Sequence, residues 1–143
     1  MAVLKNHPAL EAGQVSKSSL EVVVLHTEAK ETVGALKMAA DLASGLAPVR
    51  LLAIQQVPYP LPLDAPPVSV EFLEKSFLDM TSAAGVDARI DIRLCRDPRD
   101  VVERELGPHC VVVIGGRRRW WPATAARLAR RLERLGHQVV FTN

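Results

Sequence analysis

The sequence has few of the residues that tie a chain together covalently or through a bound metal. Its two cysteines, Cys95 and Cys110, both stand in apolar runs, where a thiol behaves as a small hydrophobic side chain. The four histidines lie far apart, and together with the cysteines they show no metal-ligand spacing. We therefore predict two inert core thiols, a reducing compartment and no metal site.

Long apolar runs are also missing. No stretch approaches the roughly 20 apolar residues of a membrane helix, and residues 1–19 lack the apolar centre of a signal peptide. We expect a cytoplasmic protein in which 1–19 form a flexible N-terminal arm and 20–143 form one domain. Aromatic residues make up only 4% of the chain against 48% hydrophobic residues, so Val, Leu, Ile and Ala must build the core.

Basic residues are concentrated near the C-terminus. Residues 1–109 hold eleven Lys and Arg against fifteen acids, whereas residues 110–143 hold seven Arg and one acid. One end of the molecule is therefore basic, which favours contact with an acidic partner.

Strand-like and helix-like runs alternate along the chain. Helical spacing predicts helices over 28–45, 68–84, 98–106 and 122–135, with Thr27 and Asp97 as N-caps of the first and third. Apolar runs predict strands over 20–26, 49–57, 86–95, 110–114 and 138–142. The third strand alternates polar and apolar residues, so we predict that it has one solvated face and lies at a sheet edge. Strict alternation predicts an α/β three-layer sandwich with a mostly parallel five-stranded sheet and helices on both faces.

Residues 58–67, between the second strand and the second helix, contain five prolines and therefore form an exposed loop. This loop, the five-strand order, the short helix opened by Asp97-Pro98 and the apolar fourth strand ending in glycine together resemble the universal stress protein family. The resemblance covers about residues 20–143. It implies the strand order 3-2-1-4-5 of the adenine-nucleotide alpha-hydrolase-like fold. It also implies a homodimer through the last strand, at Val139, Val140 and Phe141.

The nucleotide motif of the family is degenerate in this chain. ATP-binding members carry Gly-x2-Gly after the fourth strand and a Gly-Ser or Gly-Thr nine residues later, where small residues let phosphates approach the backbone. Here Gly115 and Gly116 match the first glycine, but Arg118 and Arg119 stand three residues on, where the second glycine is expected, and no later Gly-Ser is present. The first strand ends in His26-Thr27 instead of the usual Asp. We therefore predict no cofactor, with ATP and AMP as the ligands to test.

The switch point of the implied sheet lies between its first and fourth strands, and open α/β sheets bind ligands at such points. Arginines beside backbone N–H groups can bind phosphate or another anion, although the loop can equally be a solvated charged turn. The candidate ligand-binding residues are His26, Thr27, Gly115, Gly116, Arg117, Arg118 and Arg119. Trp120 and Trp121 follow directly; they are candidates for partner binding, or for a plug over the nucleotide position.

The last predicted helix has two stripes. An apolar stripe faces the core at Ala125, Leu128, Ala129 and Leu132. A basic stripe holds the remaining partner-binding candidates, Arg127, Arg130, Arg131 and Arg134. The stripe suggests an acidic protein partner or the acidic half of a second copy; a solvated helix face is the alternative. Nucleic acid is disfavoured because no aromatic platform accompanies the charge.

The function that we predict is non-enzymatic: a stress-response or regulatory domain that acts by homodimerisation and partner binding. One alternative is a nucleotide- or anion-binding module that uses Arg117–Arg119. A phosphate-ester hydrolase is a third hypothesis, and His26 is the base it would need.

Overall fold

A computed structural model describes residues 3–4, 21–27, 29–116 and 123–142 of the chain, with the side chains of 21–27, 29–116 and 126–142. The helices are α1 (Ala29–Ala43), α2 (Val70–Ala84), α3 (Pro98–Glu105) and α4 (Ala123–Arg134). The strands are β1 (Val3–Leu4), β2 (Val22–Leu25), β3 (Val49–Gln56), β4 (Arg89–Cys95), β5 (Val111–Ile114) and β6 (Gln138–Phe141). Every helix and strand predicted from the sequence is present, with ends that shift by up to three residues.

The strands form one sheet in the order β1-β4-β3-β2-β5-β6. The five strands from β2 to β6 are mutually parallel, and their order confirms the predicted 3-2-1-4-5 arrangement. The order reverses between β2 and β5, which pair with Val22 opposite Val111 and Leu25 opposite Ile114. The switch point therefore lies where the sequence predicted it.

Each face of the sheet is covered by two helices. On one face, α1 and α2 pack with Ala35, Leu36 and Phe77 onto side chains such as Val24 and Leu51. On the other face, α3 and α4 contribute Val102, Leu128, Ala129 and Leu132 against Val23, Leu52 and Ile114. Alternate residues of the central strands point to opposite faces, and both faces are apolar, as a doubly covered parallel sheet requires.

The N-terminal arm contributes a short strand that the sequence did not predict. Val3 and Leu4 pair antiparallel with Arg93 and Ile92 of β4. The predicted edge position of β4 is therefore wrong, because β1 lies beyond it. The rest of the predicted flexible arm, residues 1–2 and 5–19, lies outside the described residues.

The proline-rich loop is exposed, as predicted, and one side chain holds it. Arg96 donates hydrogen bonds to the carbonyls of Val57 and Leu61 at 2.9 and 2.8 Å. Its guanidinium also lies 4.1 Å from the centre of the Tyr59 ring. This cation–π contact and the two hydrogen bonds fix the loop to the end of β4.

The start of α3 follows the sequence prediction closely. The Asp97 carboxylate accepts a hydrogen bond from the Arg99 amide at 3.0 Å, and Pro98 occupies the first turn. Asp97 therefore satisfies one of the amides that a helix start leaves without a partner, and the missing N–H of Pro98 costs nothing there. This short helix is positioned by its own sequence.

The predicted solvated face of β4 is wrong. Asp91 is 1% exposed and Arg93 is 9% exposed. Arg50 of β3 lies beside them, with its Nε 2.6 Å from Asp91 Oδ2 and its Nη2 2.7 Å from Glu105 Oε1. Arg93 donates to the same Glu105 oxygen at 2.9 Å. The polar face of the strand is thus paired with a buried charge on the neighbouring strand and with the end of α3, which shields it from water.

This ion cluster fixes the charge state of its members. Burial alone would raise the pKa of Asp91, but the guanidinium groups of Arg50, Arg89 and Arg93 together outweigh it and hold that pKa below its usual value. The pKa of Glu105 is likewise held low against its burial by Arg93 and Arg50. A buried charge without its partner is strongly unfavourable, so the cluster fixes the relative positions of β3, β4 and α3.

Two negative findings concern the described part of the chain. None of its helices has both the length and the hydropathy needed to cross a lipid bilayer. Residues 21–27, 29–116 and 126–142 also contain no group of three or more His, Cys, Asp or Glu side chains placed to hold a metal ion.

Replacing Asp91 with Asn should reduce the free energy of unfolding by about 3 kcal/mol, because Arg50 then stays buried without its closest countercharge. Urea unfolding monitored by circular dichroism measures the loss. Asp87→Asn is the matched control: it removes the same charge at an exposed position just before β4, and it should change stability by less than about 0.5 kcal/mol. Equal effects of the two substitutions would contradict a stabilising role for the buried pair.

Candidate functional site

The predicted site residues converge at the carboxyl ends of β2 and β5. His26 and Thr27 directly follow β2, and Gly115 and Gly116 directly follow β5. The last residues of the two strands, Leu25 and Ile114, are register partners. The parallel pairing therefore brings these four residues to one edge of the sheet, at its switch point.

His26 is held by α1 and α2. Its Nδ1 lies 2.9 Å from the hydroxyl of Thr32, which is completely buried in the first half of α1. The Phe77 ring of α2 meets the imidazole edge to face, with ring centres 4.8 Å apart. Burial lowers the pKa of His26 below its usual value. The imidazole is therefore neutral at pH 7 and oriented by the helices.

Thr27 was predicted to cap α1, but it does not. Its backbone N–H instead donates to the Thr32 hydroxyl at 3.4 Å, so the turn folds back onto the helix side chain. The Thr27 Oγ1 atom is buried and has no hydrogen-bond partner among the described residues. The side chain that links the end of β2 to α1 is therefore Thr32, whereas the sequence predicted Thr27.

Gly115 touches the backbone of α1. A Cβ built on Gly115 would lie 2.2 Å from the carbonyl oxygen of Glu31 and 2.6 Å from its carbonyl carbon. Real Cβ atoms do not approach backbone atoms this closely, so only glycine fits. The absence of a side chain lets the first turns of α1 lie directly against the end of β5.

Gly116 turns toward β6. Its φ of 91° is in the region that favours glycine, and its N–H donates to the Thr142 hydroxyl at 2.9 Å. Thr142 follows β6 directly and is 8% exposed. The first backbone amide after the β5 glycine, which could otherwise face an anion, is thus bound to a side chain of the protein itself.

The described residues contain four of the seven ligand-binding candidates. Arg117, Arg118 and Arg119 lie outside them, and so do Trp120 and Trp121. The predicted anion loop and the predicted plug therefore remain predictions from the sequence.

The two predicted stripes of α4 are largely confirmed. Leu128, Ala129 and Leu132 are buried, whereas Ala125 lies outside the described side chains. Arg127, Arg130 and Arg134 are exposed. Arg131 departs from the predicted stripe, because it forms an ion pair with Glu103 of α3.

The predicted dimer strand, β6, is the last strand of the sheet. Among the described residues it pairs only with β5. Val139 and Val140 are half-buried, and Phe141 is 43% exposed. The strand is therefore placed where a second copy could extend the sheet.

Neither a known family model nor a curated protein sequence matches the chain. Solved structures do match, among them the following three. A universal stress protein from Archaeoglobus fulgidus is 12% identical, with a TM-score of 0.54 over 87% of this chain and 93% of that one. One from Burkholderia pseudomallei is 16% identical, with a TM-score of 0.50 over 88% and 98%. A universal stress protein in complex with cAMP is 18% identical, with a TM-score of 0.50 over 88% and 99%.

The chain has the universal stress protein fold. The resemblance predicted from element order and loop character is confirmed at this level, and the strand order supports it independently. At identities of 12% to 18% the likeness concerns the fold and carries no ligand with it.

The residues that shape this site include four that the sequence pattern did not distinguish. They are Glu31, Thr32, Phe77 and Thr142, and each contacts His26, Gly115 or Gly116. Thr32 and Phe77 stand at helical spacing, typical of core positions, so nothing in the pattern distinguished them. A threonine directly after the last strand was visible as a polar residue at the site edge and could have been noted.

Replacing Gly115 with Ala should destabilise the fold by about 2 kcal/mol, because the new methyl group forces α1 away from β5. Gly34→Ala is the matched control on the exposed side of α1, where a Cβ meets no atom within 4 Å. It should stabilise the protein by about 0.5–1 kcal/mol. Thermal unfolding of both variants measures the difference, and a Gly115→Ala variant as stable as the wild type would show that this contact is not tight.

The pH dependence of stability should carry the signature of His26. Because burial lowers its folded pKa below the unfolded value of about 6.5, the folded state favours the neutral imidazole. This contribution is fully present above pH 6.5 and is lost as the pH falls through the folded pKa. In His26→Asn the loss of unfolding free energy over this range should be smaller. His137, whose pKa burial also lowers, is tested separately with His137→Asn. A folded His26 that titrates in NMR spectra at or above 6.5 would contradict this account.

Proposed function

We propose that this chain is a non-enzymatic regulatory or stress-response domain of the universal stress protein type. It acts as a homodimer through β6 and by binding partner proteins, and its nucleotide site is degenerate. The observation that carries this proposal is the hydrogen bonding and packing of the Gly115-Gly116 turn. Nucleotide-binding members of the family hold phosphate at this turn.

Three features of the turn support a degenerate site. The Gly116 amide is hydrogen-bonded to Thr142, so binding a phosphate there would first require that bond to break. The Glu31 carbonyl presents a negative dipole end directly against Gly115. The residue directly after β2 is His26, where the family pattern has Asp. Its neutral imidazole adds no charge to the site. We accordingly propose that no cofactor is bound.

The non-enzymatic role is supported by the same residues. His26 is the base that a phosphate-ester hydrolase would need, yet its Nδ1 faces the Thr32 hydroxyl and its ring is packed on Phe77. The two thiols are buried, and burial raises the pKa of Cys110 to about 11, so that thiol stays protonated and unreactive at pH 7. Two free buried cysteines also support the proposal of a cytoplasmic location.

The homodimer proposal follows from hydrogen-bond alternation along β6. The amides of Gln138 and Thr142 donate to β5, to the carbonyls of Cys110 and Ile114. In a parallel pair alternate residues donate inward, so the amide of Val139 points to the outer edge. An antiparallel β6 of a second copy could accept from it, which would remove the exposed edge.

A second candidate function rests on one observation. Thr27 Oγ1 is buried at the site and has no partner among the described residues. Such a hydroxyl would suit a nucleotide or anion that Arg117, Arg118 and Arg119 also bind. A nucleotide- or anion-binding module is therefore the competing proposal, and it requires those arginines.

Val139→Pro should convert the dimer into a monomer. Proline removes an outward amide and leaves the bonds from β6 to β5 intact, so pairing with a second copy is blocked while the fold is preserved. Val139→Ala is the matched control, because it loses side-chain packing but keeps the amide. Sedimentation velocity gives the mass of each. A wild-type protein that is monomeric at micromolar concentration, or a Val139→Pro variant that stays dimeric, would refute pairing through β6.

A further inference from the structure

We propose that the outer face of α4, formed by Arg127, Arg130 and Arg134 and called here the arginine face, binds a carboxylate-rich segment of another protein. The inference rests on the partner binding proposed above and names its surface and its chemistry. It concerns described residues only and does not depend on the loop at 117–122.

The arginine face is separate from the ion pairs that hold the fold together. Arg131 lies on one side of the arginine face and binds Glu103 of α3. Arg127, Arg130 and Arg134 are exposed, and no described acid lies within ion-pair distance of them. Successive members are three or four residues apart, so their like charges repel and weaken the isolated helix. An acidic ligand would remove that repulsion.

The spacing of the arginines selects the form of the ligand. Arg127 and Arg134 are seven residues apart, which is roughly 10 Å along a helix. Successive arginines are therefore about 5–6 Å apart along the axis. Carboxylates two residues apart on an acidic strand lie on one side of it at about 7 Å, and carboxylates three or four residues apart on an acidic helix are spaced like the arginines, so either form can reach two arginines at once. The guanidinium fork can bind each carboxylate through two hydrogen bonds.

The surroundings of the face favour a protein ligand over nucleic acid. The face is one helix wide, and on the α3 side it is bordered by acids. Glu103 binds Arg131, and Asp97 is close enough to Arg131 for that guanidinium to contribute to lowering its pKa, although the Arg99 hydrogen bonds do most of this. A nucleic-acid backbone needs a broad basic surface, and acids beside the stripe would repel it. A narrow acidic peptide that follows the axis of α4 avoids them.

Dimerisation through β6 would bring two such faces together. Leu128, Ala129 and Leu132 of α4 pack in one cluster with Val139 of β6, so the helix lies over the edge strand. Antiparallel edge strands joined by a two-fold axis share their sheet faces, so both copies of α4 would lie on the same face of the extended sheet. The dimer would then offer two antiparallel arginine faces to one bivalent acidic segment.

The test measures binding of a fluorescent polyglutamate peptide of roughly ten residues by anisotropy, at about 50 mM salt, where surface charges are weakly screened. Arg127→Gln/Arg130→Gln/Arg134→Gln removes the face. Lys30→Gln/Lys37→Gln/Lys75→Gln removes the same net charge from exposed positions on the opposite helices and is the matched control. Circular dichroism checks that both variants are folded. A thymidine oligonucleotide of similar charge is the second probe.

We expect the arginine variant to bind the peptide about tenfold more weakly and the lysine variant to stay within about twofold of the wild type. Equal losses in both variants, or no binding by the wild type, would overturn the proposal. So would tighter arginine-dependent binding of the oligonucleotide, which would assign the face to nucleic acid. Binding to Val139→Pro separates the two proposals: a monomer that still binds through the arginines upholds the arginine face even if dimerisation fails.

Discussion

The contact between Gly115 and the carbonyl of Glu31 determines how α1 lies on the sheet. Because residue 115 has no side chain, the first turns of the helix reach the carboxyl end of β5. That position brings Thr32 within 2.9 Å of His26, and α2, packed beside α1, adds Phe77 to the same imidazole. The chain then turns at Gly116 and its amide meets Thr142. One missing Cβ thus permits a strand end where His26 and the Gly116 amide are hydrogen-bonded within the protein.

The buried ion cluster at Arg50 likewise fixes the relative positions of helices and strands in another part of the fold. It joins β3, β4 and the end of α3 through a guanidinium that is only 4% exposed. Its carboxylates must stay ionised, which their lowered pKa values ensure at neutral pH. The described charges therefore have two distinct roles: those of the cluster are structural, whereas those of the arginine face are exposed and available to a ligand.

The layer arrangement was predictable because it depends on a repeated pattern, whereas the strand order, and with it the location of the site, was predicted from the resemblance to the universal stress protein family. Alternating strands and helices require a doubly covered parallel sheet, and the reversal of order then brings His26 and Gly115 to one edge. The burial of Asp91 was not predictable from alternation, which cannot distinguish water from a buried countercharge. Arg50, a charged residue inside an otherwise apolar strand, was the available signal. The pairing of β1 with β4 was also missed, because two residues are too few to show periodicity.

The contacts of the site were less predictable than its position. A Cβ clash at Gly115 depends on the exact path of α1, and sequence spacing does not contain that path. The hydroxyls of Thr32 and Thr142 act through their proximity to residues far away in the chain. The sequence could therefore show that the glycine motif departs from the nucleotide-binding pattern, whereas only the fold shows which groups bind the Gly116 amide.

Thermal unfolding with and without millimolar ATP, AMP and phosphate tests the degenerate site most directly. Binding to the folded state raises the midpoint by mass action, by about 2.7 kcal/mol of stabilisation at a hundredfold excess over the dissociation constant. We expect no rise with any of the three compounds, because the turn is already hydrogen-bonded within the protein. A rise that disappears in Arg117→Ala/Arg118→Ala/Arg119→Ala would contradict this and identify an anion-binding module.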